Sequence, residues 1–236
     1  MIKIEHTNVT GFESTIRGMR NPMNSWDKSD SGWIFVEDPS PINPEDDVKF
    51  VIGENDLKLM KSLSKAGDDH GKFLRMINVT LDITAPLYWW KEFDTYKVGT
   101  VANSCSTMHK IHAKEFTVDD FSLEHLTNGS LNAVALPTIS VLNNIRDVYL
   151  RYDELNEKDP EGWEEGITCK KDLWWQMIQL LPTSYNQKRT VQLNYAVLKN
   201  MYFSRRNHKL DEWHTLCDWM ETLPYFKEIC IDVESE

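Results

Sequence analysis

No stretch of this 236-residue chain stays apolar for the roughly 18 to 20 residues that a membrane-spanning helix requires. Its four cysteines, Cys105, Cys169, Cys217 and Cys230, include no C-x-x-C pair, so neither a zinc ribbon nor a disulfide framework is expected. The opening residues, MIKIEHTNVTGFES, lack the basic region and apolar run of a secretory signal, and the expectation is a soluble cytoplasmic protein with free thiols. Basic residues are in deficit, 26 against 37 acidic ones, for a net charge of −11. Acidic side chains spread along the whole chain exclude the clustered Lys and Arg that an extended nucleic-acid surface needs. There is no H-E-x-x-H pair; His109 and His112, three apart with Glu115 beyond, fall short of metal-site spacing, and no metal is expected. Internal repeats and low-complexity tracts are absent too.

What is present suffices for a sizeable core: 41% of residues are hydrophobic, and nothing marks a domain boundary, so residues 1–236 are expected to form a single domain. MIKIEHTNV alternates as a strand does. GFESTIRGMR places Ile16 and Met19 on one helical face before Pro22 ends it. Arg17 and Arg20 on that helix read as solvated or ion-paired, with an anion site as the alternative. GWIFVED and VKFVIG read as two strands of a hairpin separated by the Pro-rich PSPINPEDD. ENDLKLMKSLSKAG carries Leu57, Met60 and Leu63 at helical spacing, with Asn55 as the expected N-cap and Gly67 as the stop.

In FLRMINVTLDIT, Ile77, Val79, Leu81 and Ile83 alternate with polar residues, the signature of a strand with one buried face. Pro86 then opens an expected helix, LYWWKEFDTYKV. VDDFSLEHL resembles a capped short helix. ALPTISVLNNIRDVYLRYDELN reads as a long helix with Ile139, Leu142, Ile145, Val148, Tyr149 and Tyr152 inward, and EKDPEGWEEGI as a polar loop. KKDLWWQMIQLLP predicts a helix stopping before Pro182, with a stripe of Trp174, Trp175, Ile178 and Leu181 read as core or subunit interface rather than a cofactor box. TSYNQKRTVQLN follows as loop or strand, and two further helices lie within YAVLKNMYFSRRNHKLDEWHTLCDWMETL.

The block from Ala85 to His109, APLYWWKEFDTYKVGTVANSCSTMH, concentrates aromatics, a cation and small hydroxyl residues. Tyr88, Trp89, Trp90 and Tyr96 offer a flat wall for a pocket or an interface. Lys97, Thr100, Asn103, Ser104 and Ser106 offer hydrogen-bonding groups beside it, a combination that suits a nucleotide or flavin ring and its phosphates. Cys105 is expected to be a pocket-lining or buried thiol rather than a nucleophile, since no His is tied to it.

In this order the segments resemble the flavin-dependent thymidylate synthases, the ThyX family, over nearly the whole chain. That family has a helix ending in Gly-His, a Glu-His pair, a strand leading into an Ala-Pro-initiated helix, and then Arg-His-Arg-x-x-Ser-x-Asn-Glu-x-Ser-x-Arg-Tyr. With Ala-Pro matched to Ala85 and Pro86, the Gly-His histidine falls on His70 and the Glu-His pair on Arg75 and Met76. The long motif falls on Thr95, Tyr96, Lys97, Thr100, Ala102, Asn103, Cys105, Thr107 and Met108. Lys97 keeps a cation and Thr100 a hydroxyl; the other departures remove groups that in the family help to bind flavin and hold the nucleotide phosphate. LLPTSYNQKRTVQLNYAVLKNMYFSRR extends the likeness and puts Asn194 and Arg205 on family positions that contact nucleotide and flavin. Read without the family, Asn194 is a helix N-cap and Arg205 a surface ion pair.

The resemblance implies an α/β (α+β) fold with a central, mostly antiparallel sheet flanked by long helices. It also implies a homo-oligomer, the family's form being a homotetramer, and FAD and dUMP as ligands. Three functional readings follow: a divergent flavin-dependent enzyme acting on a pyrimidine nucleotide, a non-catalytic nucleotide binder, and a structural or partner-binding oligomer. The ligand-binding set is Tyr96, Lys97, Thr100, Asn103, Ser104, Ser106, Asn194, Arg205 and His70; no catalytic residue is assigned.

Overall fold

A computed structural model describes residues 2–35 and 48–234; the PSPINPEDD loop and the end of the expected GWIFVED strand lie outside the described residues. Strands β1 (Lys3–Thr10), β4 (Asn78–Pro86), β5 (Val101–Ser104) and β6 (Asn186–Asn194) form a sheet in the order β1-β4-β6-β5, and β2 (Gly32–Phe35) and β3 (Val48–Val51) form a separate antiparallel hairpin. The helices are α1 (Phe12–Arg20), α2 (Glu54–Lys65), α3 (Leu87–Phe93), α4 (Thr107–Lys110), α5 (Asn128–Ser130), α6 (Leu136–Leu150), α7 (Tyr152–Lys158), α8 (Lys170–Leu180), α9 (Tyr195–Arg205) and α10 (Asp211–Glu221). This is the expected mixed class of helices with antiparallel sheet. The chain divides into two compact units, the first made of Met1–Lys3, Ile83–Thr95 and Asn103–Arg189, the second of Ile4–Asp82, Tyr96–Ala102 and Thr190–Glu236.

In the first unit the core gathers Ile111, Phe116, Phe121, Ile139, Leu142 and Met177, with α6 packed along α8. The long helix arises earlier than its apolar pattern suggested. Thr127 caps it by accepting from the Ser130 N–H, and Pro137, which has no N–H to give, follows a wide π turn over Leu131–Ala135. In α8 the buried residues are Leu173 and Met177, one register off the expected stripe, and Trp175 is exposed. A capping carboxylate sets that register: Asp172 accepts from the Thr168 and Cys169 N–H groups and from the Thr168 hydroxyl, which hold its pKa down to about 2.

The helix after Pro86 ends at Phe93, five residues short of the expected Val98. Its first N–H groups, at Leu87 and Tyr88, donate to the Tyr185 and Thr183 carbonyls at 3.0 Å each. Trp89, Trp90 and Phe93 are fully buried against one another, so these aromatics are core and do not form the wall of an open pocket. Arg189 lies 4.1 Å from the Trp90 ring centroid and pairs with Asp94 at 2.7 Å.

The second unit is built around α1, α2, α9, α10 and the first half of β4, whose Val79 and Leu81 are buried as the alternation predicts. Gly11 begins α1 at φ 98°, where any side chain would meet the Met76 carbonyl oxygen at 2.3 Å. Ile16 and Met19 are buried on its inner face, as read from the sequence. Arg17 is exposed, whereas Arg20 is buried: its Nε donates to Asp56 at 2.6 Å, and its other nitrogens donate to the Ser25 and Lys28 carbonyls. The start of α2 is set from outside. Asn55 is inside the helix, not its cap, and the Asp30 carboxylate accepts from the N–H groups of Asn55 and Asp56 at 2.9 and 3.1 Å.

Asp56 is the hub of this corner, accepting from Arg20, from the Ser29 and Ser31 hydroxyls at 2.7 Å each, and from the Asp30 and Ser31 N–H groups. Burial pushes its pKa up, but the hydrogen bonds from Ser31, Ser29 and Arg20 and the guanidinium charge outweigh this and hold it below its ordinary value. A carboxyl depressed in the folded state stabilises the protein above its unfolded pKa, near 3.8, and that contribution is lost as pH falls through the lower folded value. Removing Arg20 strands a buried carboxylate. Arg20→Ala is expected to cost about 3–5 kcal/mol in urea denaturation at neutral pH, with the deficit shrinking as Asp56 is protonated in acid; a cost below about 1 kcal/mol would show that the pair is not buried in solution.

Candidate functional site

The geometry that bears on function starts where β6 turns into α9. Asn194 accepts from the Val197 N–H at 3.1 Å and so caps the helix, while the Tyr195 N–H donates to the Ile77 carbonyl at 3.1 Å. Tyr195 is wholly buried, with its hydroxyl donating to the Pro224 carbonyl at 2.7 Å; burial raises its phenol pKa well above the ordinary value. The helix is thus fixed at its first residue on three sides. Arg205, at its last residue, is carried to a defined place three turns on.

There the Arg205 Nε donates to the Tyr96 hydroxyl at 2.9 Å. The guanidinium carbon stands 4.8 Å from the ring centroid of Trp213 and 5.5 Å from that of Tyr96, and the two rings meet edge to face at 6.0 Å. Contacts of this kind contribute about 0.5–2 kcal/mol, and they orient a planar cation as well as hold it. The turn from α9 to α10 is itself laced: the Leu210 N–H donates to His208 Nδ1 at 3.1 Å, and His214 Nε2 is 2.7 Å from the His208 carbonyl oxygen. Trp213 was not foreseen as part of this cluster. The signal was there, since a short turn between two helices folds residues eight apart next to each other.

The segment Tyr96–Ala102 meets the start of α9 at Gly99. Its φ is +76°, and a side chain there would sit 3.0 Å from Asn194 Nδ2 and 3.1 Å from Val197. Thr100, next to it, has a buried hydroxyl with no hydrogen-bond partner among the described residues. Lys97 is exposed. The second unit therefore unites Tyr96 with Arg205 directly and sets the turn bearing Thr100 against Asn194.

The remaining expected residues are placed differently. His70 lies exposed in the turn after α2. Asn103 and Ser104 are exposed at the end of β5, a strand the sequence did not announce, and Ser106 accepts from the His109 N–H as the cap of α4. Cys105 is exposed rather than buried, its N–H donating to the Lys188 carbonyl at 2.9 Å; the buried thiols are Cys217 and Cys230. Among the described residues no cluster of His, Cys, Asp or Glu could hold a metal ion.

Solved structures make the fold recognisable. A crystal structure of thymidylate synthase X (ThyX) from Helicobacter pylori with FAD and dUMP matches at a TM-score of 0.64, with 15% identity, over 100% of both chains. A second structure of the same enzyme complexed with FAD and dUMP matches at 0.63, also with 15% identity, over 98% of this chain and 99% of that one. The chain has a ThyX-like fold. No protein-family model matches its sequence, and no curated protein does. The likeness is carried by backbone arrangement, and the side chains set out above are this chain's own.

The tight turn at Gly99 gives a direct check. Gly99→Ala forces a side chain into left-handed backbone against Asn194 and is expected to lower stability by about 1–3 kcal/mol in urea denaturation. An unchanged midpoint would mean that residues 96–102 take another path.

Proposed function

We propose that this ThyX-like chain binds a pyrimidine nucleotide, with Arg205 and Lys97 neutralising its phosphate and Thr100 and Asn194 contributing polar contacts. The observation that carries the reading is Arg205 itself. On a chain with a net charge of −11, a guanidinium lies against the rings of Trp213 and Tyr96 at the end of a helix capped by Asn194. Bidentate recognition of phosphate needs such a preoriented fork. The buried Thr100 hydroxyl without a partner supports it, because an unmet buried donor costs free energy unless a ligand satisfies it. By the family resemblance, His70, Asn103, Ser104 and Ser106 are further candidates for ligand contact.

FAD is the cofactor that the fold suggests. Trp89 and Trp90 are buried and offer its ring no face, and an FAD phosphate held by Arg205, Lys97 and Thr100 would take the place of the nucleotide's. A bound flavin supplies hydride; the chain's own contribution is to orient the nucleotide and balance its charge. A non-catalytic binder is the second reading. It is favoured by Thr95 and Tyr96 where the family has Arg-His, and by the Tyr96 hydroxyl already accepting from Arg205.

Melting curves with dUMP and with FAD test both. A ligand at 100 times its Kd adds about 2.7 kcal/mol to the native state, so dUMP is expected to raise Tm, Arg205→Ala to abolish the rise and Lys97→Ala to weaken binding about tenfold. A flavin absorption band in the purified protein would favour the enzyme over the binder. A Tm insensitive to dUMP, or an Arg205→Ala variant that responds like the parent, would overturn the site.

A further inference from the structure

A concave region lies in the same unit as Arg205, between α1 and the β2–β3 hairpin, and shares none of the residues discussed for nucleotide binding. It has two adjoining lobes of about 360 and 250 Å³, joined through Glu13, Arg17, Trp33 and Phe50. Trp33 and Phe50 are cross-strand partners whose rings meet edge to face at 5.3 Å, yet Trp33 remains 60% exposed. Trp26, its indole N–H donating to Asn21 at 2.9 Å, lines the second lobe and is 50% exposed. Two exposed indoles in one cleft are a costly arrangement for a protein surface unless something covers them.

The charges in the cleft are not self-satisfied. Arg17 has no ion pair among the described residues, although Glu13 sits one turn before it on α1. Glu13 is engaged elsewhere, one carboxylate oxygen accepting from the Trp33 indole N–H at 3.4 Å. Its other oxygen is available to a donor. Behind this lining the scaffold is rigid: Arg20 and the Ser29 and Ser31 hydroxyls are all bonded to buried Asp56, and Ser31 also accepts from the Gly53 N–H at 3.0 Å. A preformed cleft with ring faces, a carboxylate and a guanidinium that has no ion pair among the described residues has the makings of a small-molecule site.

We propose that the cleft between α1 and the hairpin binds a planar heteroaromatic anion, its ring against Trp33 and Phe50, its anionic group on Arg17 and a ring amino group on Glu13. Adenosine 5′-monophosphate is a suitable probe, followed through the Trp33 indole N–H signal in ¹H–¹⁵N NMR and assigned with Trp33→Phe. The signal is expected to move and saturate with this probe. Adenosine and inorganic phosphate, each supplying half of the chemistry, should bind at least about tenfold more weakly. Arg17→Ala should weaken binding to a similar degree, and Arg205→Ala should leave it unchanged. A Trp33 signal that stays put, Arg17→Ala binding as tightly as the parent, or loss of the response in Arg205→Ala would each overturn the proposal. Because the readout is local to Trp33, a failure here is separable from a failure of dUMP to bind at Arg205.

Discussion

A helix can deliver a side chain accurately only if its first residue is fixed, and in this protein α9 is fixed three times over. The Asn194 cap, the Tyr195 backbone bond to Ile77 and the buried Tyr195 hydroxyl on Pro224 set where the helix begins. Arg205 follows from that start. Its guanidinium arrives between Tyr96 and Trp213, and the Gly99 turn closes against the same cap. Loosening the cap would disturb both halves of the candidate site together, which makes Asn194 a positioning residue whatever it also offers a ligand.

How much of this could be read from the sequence depends on how local the cause is. The β4 alternation and the apolar face of α1 follow from side-chain period alone and appear as expected. β5 was invisible because Val101–Ser104 is exposed throughout, so no buried face imprints a period on it. The cap of α2 was misplaced because Asp30, far away in the chain, does the capping. The aromatic run after Pro86 was readable as a helix but not as core, since Tyr88, Trp89 and Trp90 are equally apolar in composition and packing alone decides which turn inward.

The site follows the same division. Asn194 and Arg205 were singled out by resemblance, and the structure gives each a concrete partner: Asn194 is a cap, as a local reading of its position also holds, and Arg205 lies against the rings of Tyr96 and Trp213. On this ThyX-like fold, the proposed recognition of a nucleotide rests largely on one cation at the end of α9. In that proposal, aromatic rings that preorient the cation reduce the side-chain entropy lost when a ligand binds.

A crystal structure of the protein grown with dUMP tests this most directly. The nucleotide phosphate is expected within hydrogen-bonding distance of the Arg205 guanidinium, with Tyr96 and Trp213 still beside it. Density for dUMP elsewhere on the chain, with Arg205 untouched, would contradict it.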